Sequence, residues 1–100
     1  MEAKIRHMVV FNLKYPKDDP RTQKFLDTAK EKLGPITFAL NVEQCHQTNA
    51  MCKYDFGFSF DFASPEDYEG YNNHPDHKQF VEEWWKTQVA DFMEVDFEPV

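Results

Sequence analysis

The chain is short of basic residues: 11 Lys and Arg stand against 18 Asp and Glu, a formal net charge of −7. Phosphate backbones and anionic lipid surfaces are met by basic patches, so neither nucleic acid nor a membrane surface is an expected partner. No long apolar run occurs, so no transmembrane helix is expected. Residues 1–4 lead straight into a strand pattern and do not read as a signal peptide. Only two cysteines occur, Cys45 and Cys52, and they form no Cys-x-x-Cys pair. The expectation is a reducing, cytoplasmic compartment, in which a Cys45–Cys52 cross-link over a hairpin turn is disfavoured. Repeats, low-complexity tracts and linkers are also missing, so residues 1–100 are expected to form one domain.

Aromatic rings are plentiful. Phe occurs ten times, and Phe, Tyr and Trp make up 16% of the chain. Such rings bury large areas and also line cavities. A domain this small has a thin core, and association with a second copy would help stabilise it.

Residues 5–14 alternate, with Ile5, His7, Val9, Phe11 and Leu13 on one face. The other face carries Met8 and Val10, so both faces of this strand expect cover. Asp19-Pro20 reads as a helix cap with proline at the first helical position, followed by Phe25, Leu26, Ala29 and Leu33 at helical spacing. Gly34-Pro35 ends that helix. Phe38, Leu40 and Val42 begin a second strand, and residues 53–63 form a third with Phe56, Phe58, Phe60 and Phe62 on one face. Ser64-Pro65-Glu66-Asp67 is a second capping signal, before a short helix with Tyr68 and Tyr71. His74-Pro75 restarts the helix, with Phe80, Val81, Trp84 and Gln88 as its inner stripe, and residues 91–98 alternate again.

Strand, helix, strand, strand, helix, strand is the α+β, ferredoxin-like βαββαβ order. It predicts a four-stranded antiparallel sheet with both helices on one face. The opposite face then needs a cover that the chain does not supply. The expected solution is a homodimer packed through the sheet faces, closing into a dimeric α/β barrel.

The segment from Tyr71 to Phe80 holds the chemistry. His77 precedes Phe80 by three residues and Trp84 by seven, which puts it on the inner stripe. Its place in the first helical turn favours a neutral ring, while Asp76 beside it acts in the opposite sense. A neutral imidazole can serve as a general base, and the Tyr71 phenol can donate a hydrogen bond to a carbonyl or oxyanion. If the Val9 and Phe11 face of the first strand meets the helices, His7 approaches the same cavity. The alternative makes all three packing residues. A metal is the other candidate, since His74 and His77 have a permitted ligand spacing, with His7, His46 or an acid to add. Nothing in the spacing demands it, and no metal or cofactor is expected. Glu94 enters the cavity if the Phe92 face of the last strand turns to the helices. On hydrophobicity the expectation is that Met93, Val95 and Phe97 turn inward and Glu94 does not.

His7-Met8-Val9-Val10-Phe11, the Phe-rich third strand ending in Ala63-Ser64, and Tyr71-x-x-His74-Pro75-x-His77 together resemble the stress-responsive A/B barrel domain (Dabb) family over nearly the whole chain. The resemblance implies a dimeric barrel of two ferredoxin-like subunits. Members of the olivetolic acid cyclase type perform an aldol condensation without metal or organic cofactor. By that resemblance His77 matches the base and Tyr71 the assisting phenol. His7 matches the histidine in the pocket, and Val9, Phe11, Phe25, Leu26, Phe58 and Phe80 match its apolar lining. Asn72 and Asn73 depart from apolar positions in the cyclase, and Ala29 stands where it has a tyrosine. The implied function is binding of a small apolar oxygenated molecule, with cyclase, isomerase or lyase chemistry from the His/Tyr pair. A non-catalytic stress-associated binding or scaffold protein is the alternative, and a cofactor-free monooxygenase is a third reading.

Overall fold

A computed structural model describes residues 5–100; residues 1–4 lie outside it. Strand β1, Ile5–Leu13, buries His7, Val9, Phe11 and Leu13 on one face, as its period of two requires. Helix α1, Pro20–Leu33, starts where the Asp19 side chain accepts a hydrogen bond from the Arg21 backbone amide. It buries Thr22, Phe25, Ala29 and Leu33. Strand β2 is Leu40–His46, so Phe38 falls before it and stays partly exposed. The β2–β3 register shifts between Leu40 and Glu43, where Asn41 has a φ of 51°. The bulge lies within β2, which begins two residues later than the alternating pattern and runs on to His46. Strand β3, Phe56–Phe62, is trimmed at both ends relative to the alternating pattern.

Helix α2, Pro65–Asn73, is capped by the Ser64 hydroxyl, which accepts from the Asp67 amide. The His74 ring caps helix α3, Pro75–Phe80, through Nδ1 accepting from the Asp76 amide. A π-helical turn follows at Val81–Trp85, then a last helical turn, α4, Lys86–Gln88. Strand β4 is Val89–Phe97. The four antiparallel strands lie in the order β2-β3-β1-β4. The helices cover one face of the sheet, which is the ferredoxin-like arrangement the element order implied.

The core lies between these layers and is built from rings. Phe11, Phe25 and Phe62 are its fully buried large side chains. Phe11 meets Phe58 edge-on at 4.8 Å and Trp85 at 5.0 Å. Aromatic pairs of this geometry add about 0.5–1.5 kcal/mol each beyond area burial. Trp85 was not part of the expected inner stripe. The wider π turn rotates less per residue and sets the helix phase back, so Trp85 joins Trp84 against the core.

The last strand corrects an expectation. His7 pairs directly with Asp96, and Val9 with Glu94. Residues opposite each other share a face, so Phe92, Glu94 and Asp96 turn to the helices. Met93, Val95 and Phe97 turn away and stay exposed. Apolar content misled here because the outer face of the sheet is itself apolar.

Candidate active site

The break between α2 and α3 creates the site. His74 leaves helical geometry with φ −63° and ψ 135°, as a residue before proline prefers. The chain turns there, and the Tyr71 ring near the end of α2 comes to 4.7 Å, centroid to centroid, from the His77 ring in α3. Both line a half-open cavity of about 360 Å³ between the helices and the β1–β4 side of the sheet. His7, Val9, Phe58 and Phe80 are in its wall as well. Glu94 and Phe92 lie at the β4 side, and Trp85 at the π turn. A second depression of about 490 Å³ sits between the end of α1 and β2 and shares Leu33, Phe58 and Phe60 with the first. It contains none of the histidines or tyrosines, so the chemistry belongs to the smaller cavity.

Three of the expected lining residues are not in that wall. Phe11 and Phe25 are 0% exposed, so a ligand has no surface of theirs to touch. Leu26 packs beside the core, and its backbone carbonyl accepts from the Gln44 side chain. The helical and strand periods assign these residues to the buried face correctly, but a buried face contains more core than cavity.

Burial lowers the pKa of His77, since a charged ring loses solvation there, and the nearby His7 and His74 act in the same direction. The Asn72 backbone opposes this shift without completing a hydrogen bond to Nδ1. Indeed Nδ1 of His77 is the one buried side-chain polar atom among the described residues that has no partner. Nε2, the other ring nitrogen, is not among the buried unpaired atoms, and His77 lines the cavity. Tyr71 is 2% exposed, and burial first, then the neighbouring Tyr68, raises its pKa well above the usual phenol range. It therefore stays protonated and can donate. The pair thus joins a neutral imidazole to a protonated phenol.

Sequence reasoning missed two side chains that hold His7 in that wall. Asp96 and Tyr68 both reach the ring of His7. Its Nδ1 lies 2.5 Å from Asp96 Oδ1 and 2.8 Å from the Tyr68 hydroxyl. Burial, then the Asp96 hydrogen bond and charge, raise the pKa of Tyr68 strongly. The only signal in the sequence is that Asp96 shares a period-two face with Glu94 and Phe92, and pairing with His7 needs the β1–β4 register. His74 is taken up by its cap on α3. Among the described residues no three His, Cys, Asp or Glu side chains converge as a metal ion would need.

The comparisons with known proteins agree with this architecture. The profile of the stress responsive A/B barrel domain matches residues 5–99. The chain belongs to the stress-responsive A/B barrel domain family. A Dabb family protein with a ferredoxin-like fold from Mesorhizobium loti is 39% identical; the match covers 99% of both chains with a TM-score of 0.95. A dimeric ferredoxin-like protein of unknown function from Thermobifida fusca is 25% identical over 97% of this A/B barrel chain and 92% of its own, with a TM-score of 0.76. The hydroxynitrile lyase from Passiflora edulis shares the fold at 13% identity, over 98% and 94% of the two chains, with a TM-score of 0.73. A comparison with curated proteins finds no match. No described helix of this A/B barrel protein is long and apolar enough to cross a membrane.

Proposed function

We propose that this A/B barrel protein is a homodimer that binds a small, mostly apolar, oxygenated molecule and performs cofactor-free acid–base chemistry on it, of the cyclase, isomerase or lyase type. The observation that carries this is the His77 ring packed against the Tyr71 phenol in one half-open cavity, where burial favours the neutral imidazole and the protonated phenol. Nε2 of His77 takes a proton from the carbon beside a carbonyl. Tyr71 donates its O–H to the carbonyl oxygen as negative charge develops there. Apolar walls keep water from competing for both groups. The Passiflora edulis enzyme supports the reading by fold analogy, since it is a lyase with this architecture.

The homodimer is supported by the outer face of the sheet. Met8 and Val10 of β1 lie beside Val95 and Met93 of β4, and Phe97 extends the patch, with Met93 50% and Phe97 53% exposed. A contiguous apolar patch on one sheet face suits a twofold sheet-to-sheet contact, and the Thermobifida fusca relative is dimeric. Free Cys45 and Cys52 suit a reducing cytoplasm.

The test is exchange of an activated α-proton of an added ketone into deuterated water. The wild type should catalyse it, and His77→Ala should lose about a hundredfold or more, the usual contribution of a positioned base. Equal rates in both would remove His77 from the mechanism.

A further inference from the structure

We infer that Asp96 and Tyr68 are positioning residues for His7, holding its proton on Nδ1 and leaving its Nε2 lone pair to accept a hydrogen bond from a ligand hydroxyl. The inference rests on the cavity being a ligand site, and it narrows the ligand to a hydroxy-carbonyl compound.

The proton count leads there. The Tyr68 oxygen lies 3.1 Å and 3.2 Å from the two carboxylate oxygens of Asp96, and Asp96 Oδ1 lies 2.5 Å from Nδ1 of His7. An ionised carboxylate only accepts, so both approaches must bring it hydrogens. The phenol has one hydrogen, which goes to Asp96. It cannot also go to Nδ1, although the two atoms are 2.8 Å apart. Nδ1 must therefore carry its own proton, shared between Asp96 and the Tyr68 oxygen. In the neutral ring Nε2 is then a bare acceptor. It has no partner among the described residues and is not one of the buried unpaired atoms, and His7 lines the cavity.

The ring cannot turn to escape this assignment. It is 7% exposed, stacks on Phe60 at 5.6 Å with 28° between the planes, and has Tyr68 at 5.1 Å on another side. Direct cross-strand pairing fixes Asp96 against it from β4. This is the arrangement by which a carboxylate sets the tautomer and direction of an imidazole. Asp96 and Tyr68 are positioning residues in it, and His7 meets the ligand. Tyr71 supplies a donor for a carbonyl elsewhere in the same wall, so a ligand with both groups satisfies both ends. Glu94 and Lys86 both line the cavity, one acidic and one basic residue, so recognition falls to the directed hydrogen bonds rather than to net charge.

Nitrogen-15 NMR of the imidazoles, recorded above the range in which histidine titrates, tests the assignment directly. Wild-type His7 should be the Nδ1–H tautomer, and Asp96→Ala should lose that preference while the His77 signals stay native. A wild-type His7 protonated on Nε2, or a tautomer indifferent to Asp96→Ala, would overturn it. The ligand half is read by binding 4-hydroxyacetophenone and its methyl ether, followed by tryptophan fluorescence. The phenol should bind about fivefold more tightly than the ether, the worth of one hydrogen bond, and Asp96→Asn should erase the difference. Equal affinities in the wild type would sink the Nε2 acceptor. Binding of neither ketone would sink the reading of the cavity instead and leave the tautomer of His7 standing.

Discussion

Replacing His77 by leucine should stabilise the protein while it removes the proposed base. Nδ1 of His77 is buried without a partner. A buried polar atom left unsatisfied costs about 1–3 kcal/mol, because its water is lost and nothing replaces it. Leucine has a similar volume and brings no such atom to the site between Tyr71 and Phe80. Part of the His77 ring opens on the cavity, so a gain near the lower bound, about 1 kcal/mol, is expected. In a domain of this length that moves Tm by roughly 4–8 °C. Calorimetry at one protein concentration reads it, since the Tm of a dimer depends on concentration.

Acid adds a second signature. The unfolded chain takes up a proton on His77 near the ordinary imidazole pKa of about 6.5, whereas the folded chain does so only at lower pH. Between those two values the unfolded state binds more protons. Wild-type stability contributed by the neutral ring is therefore present above that window and is lost as pH falls through it. The leucine variant has no such contribution, so its advantage widens on acidification. A variant less stable than the wild type by more than about 1 kcal/mol, with an unchanged pH slope, would show that the imidazole is a satisfied packing group. The base role would then lose its physical ground.

Two further outcomes test the frame around the site. Phe11→Ala should cost about 3–5 kcal/mol, read as a lower urea midpoint with an unchanged slope, because Phe11 is fully buried and the π-turn tryptophan packs on it. Met93→Asp combined with Val95→Asp should convert a dimer into a monomer by sedimentation at micromolar concentration, since it puts two charges in the outer patch. A wild-type chain that already sediments as a monomer would refute the dimer.

The fold was legible because its signals are local. Asp19-Pro20, Ser64-Pro65 and His74-Pro75 each begin a helix where their caps say, and the phenylalanines of β3 alternate as a half-covered strand must. The placement of His77 and Tyr71 together was also accessible, since both sit within one turn of a marked helix break. What stayed out of reach depends on register and phase. The facing of β4 is set by which of its residues oppose His7 and Val9, and both of its faces carry apolar side chains. Hydropathy could not choose between them, and it chose wrongly. Trp85 was left out of the stripe although it follows Val81 by four residues, an ordinary helical spacing. Phe11 and Phe25 were matched to the lining by the family resemblance, and periodicity, which tells inside from outside, is silent on depth.

The two halves of the site are built on unlike supports, and this bears on how it would work. His7 is gripped by paired strands, by a stacked ring and by two oxygen partners. His77 stands at the start of a six-residue helix, with one nitrogen unpaired, between a chain break and a π turn. A ligand can be oriented by the first without disturbing the sheet. The second gives up little on engaging a ligand, because its ring has few protein bonds to lose. Rigid anchoring on the sheet and an under-satisfied base on the helical layer form the division expected of a site that positions one end of a molecule and reacts with the other. A purely structural pair of histidines would have no reason to leave a buried ring nitrogen without a partner.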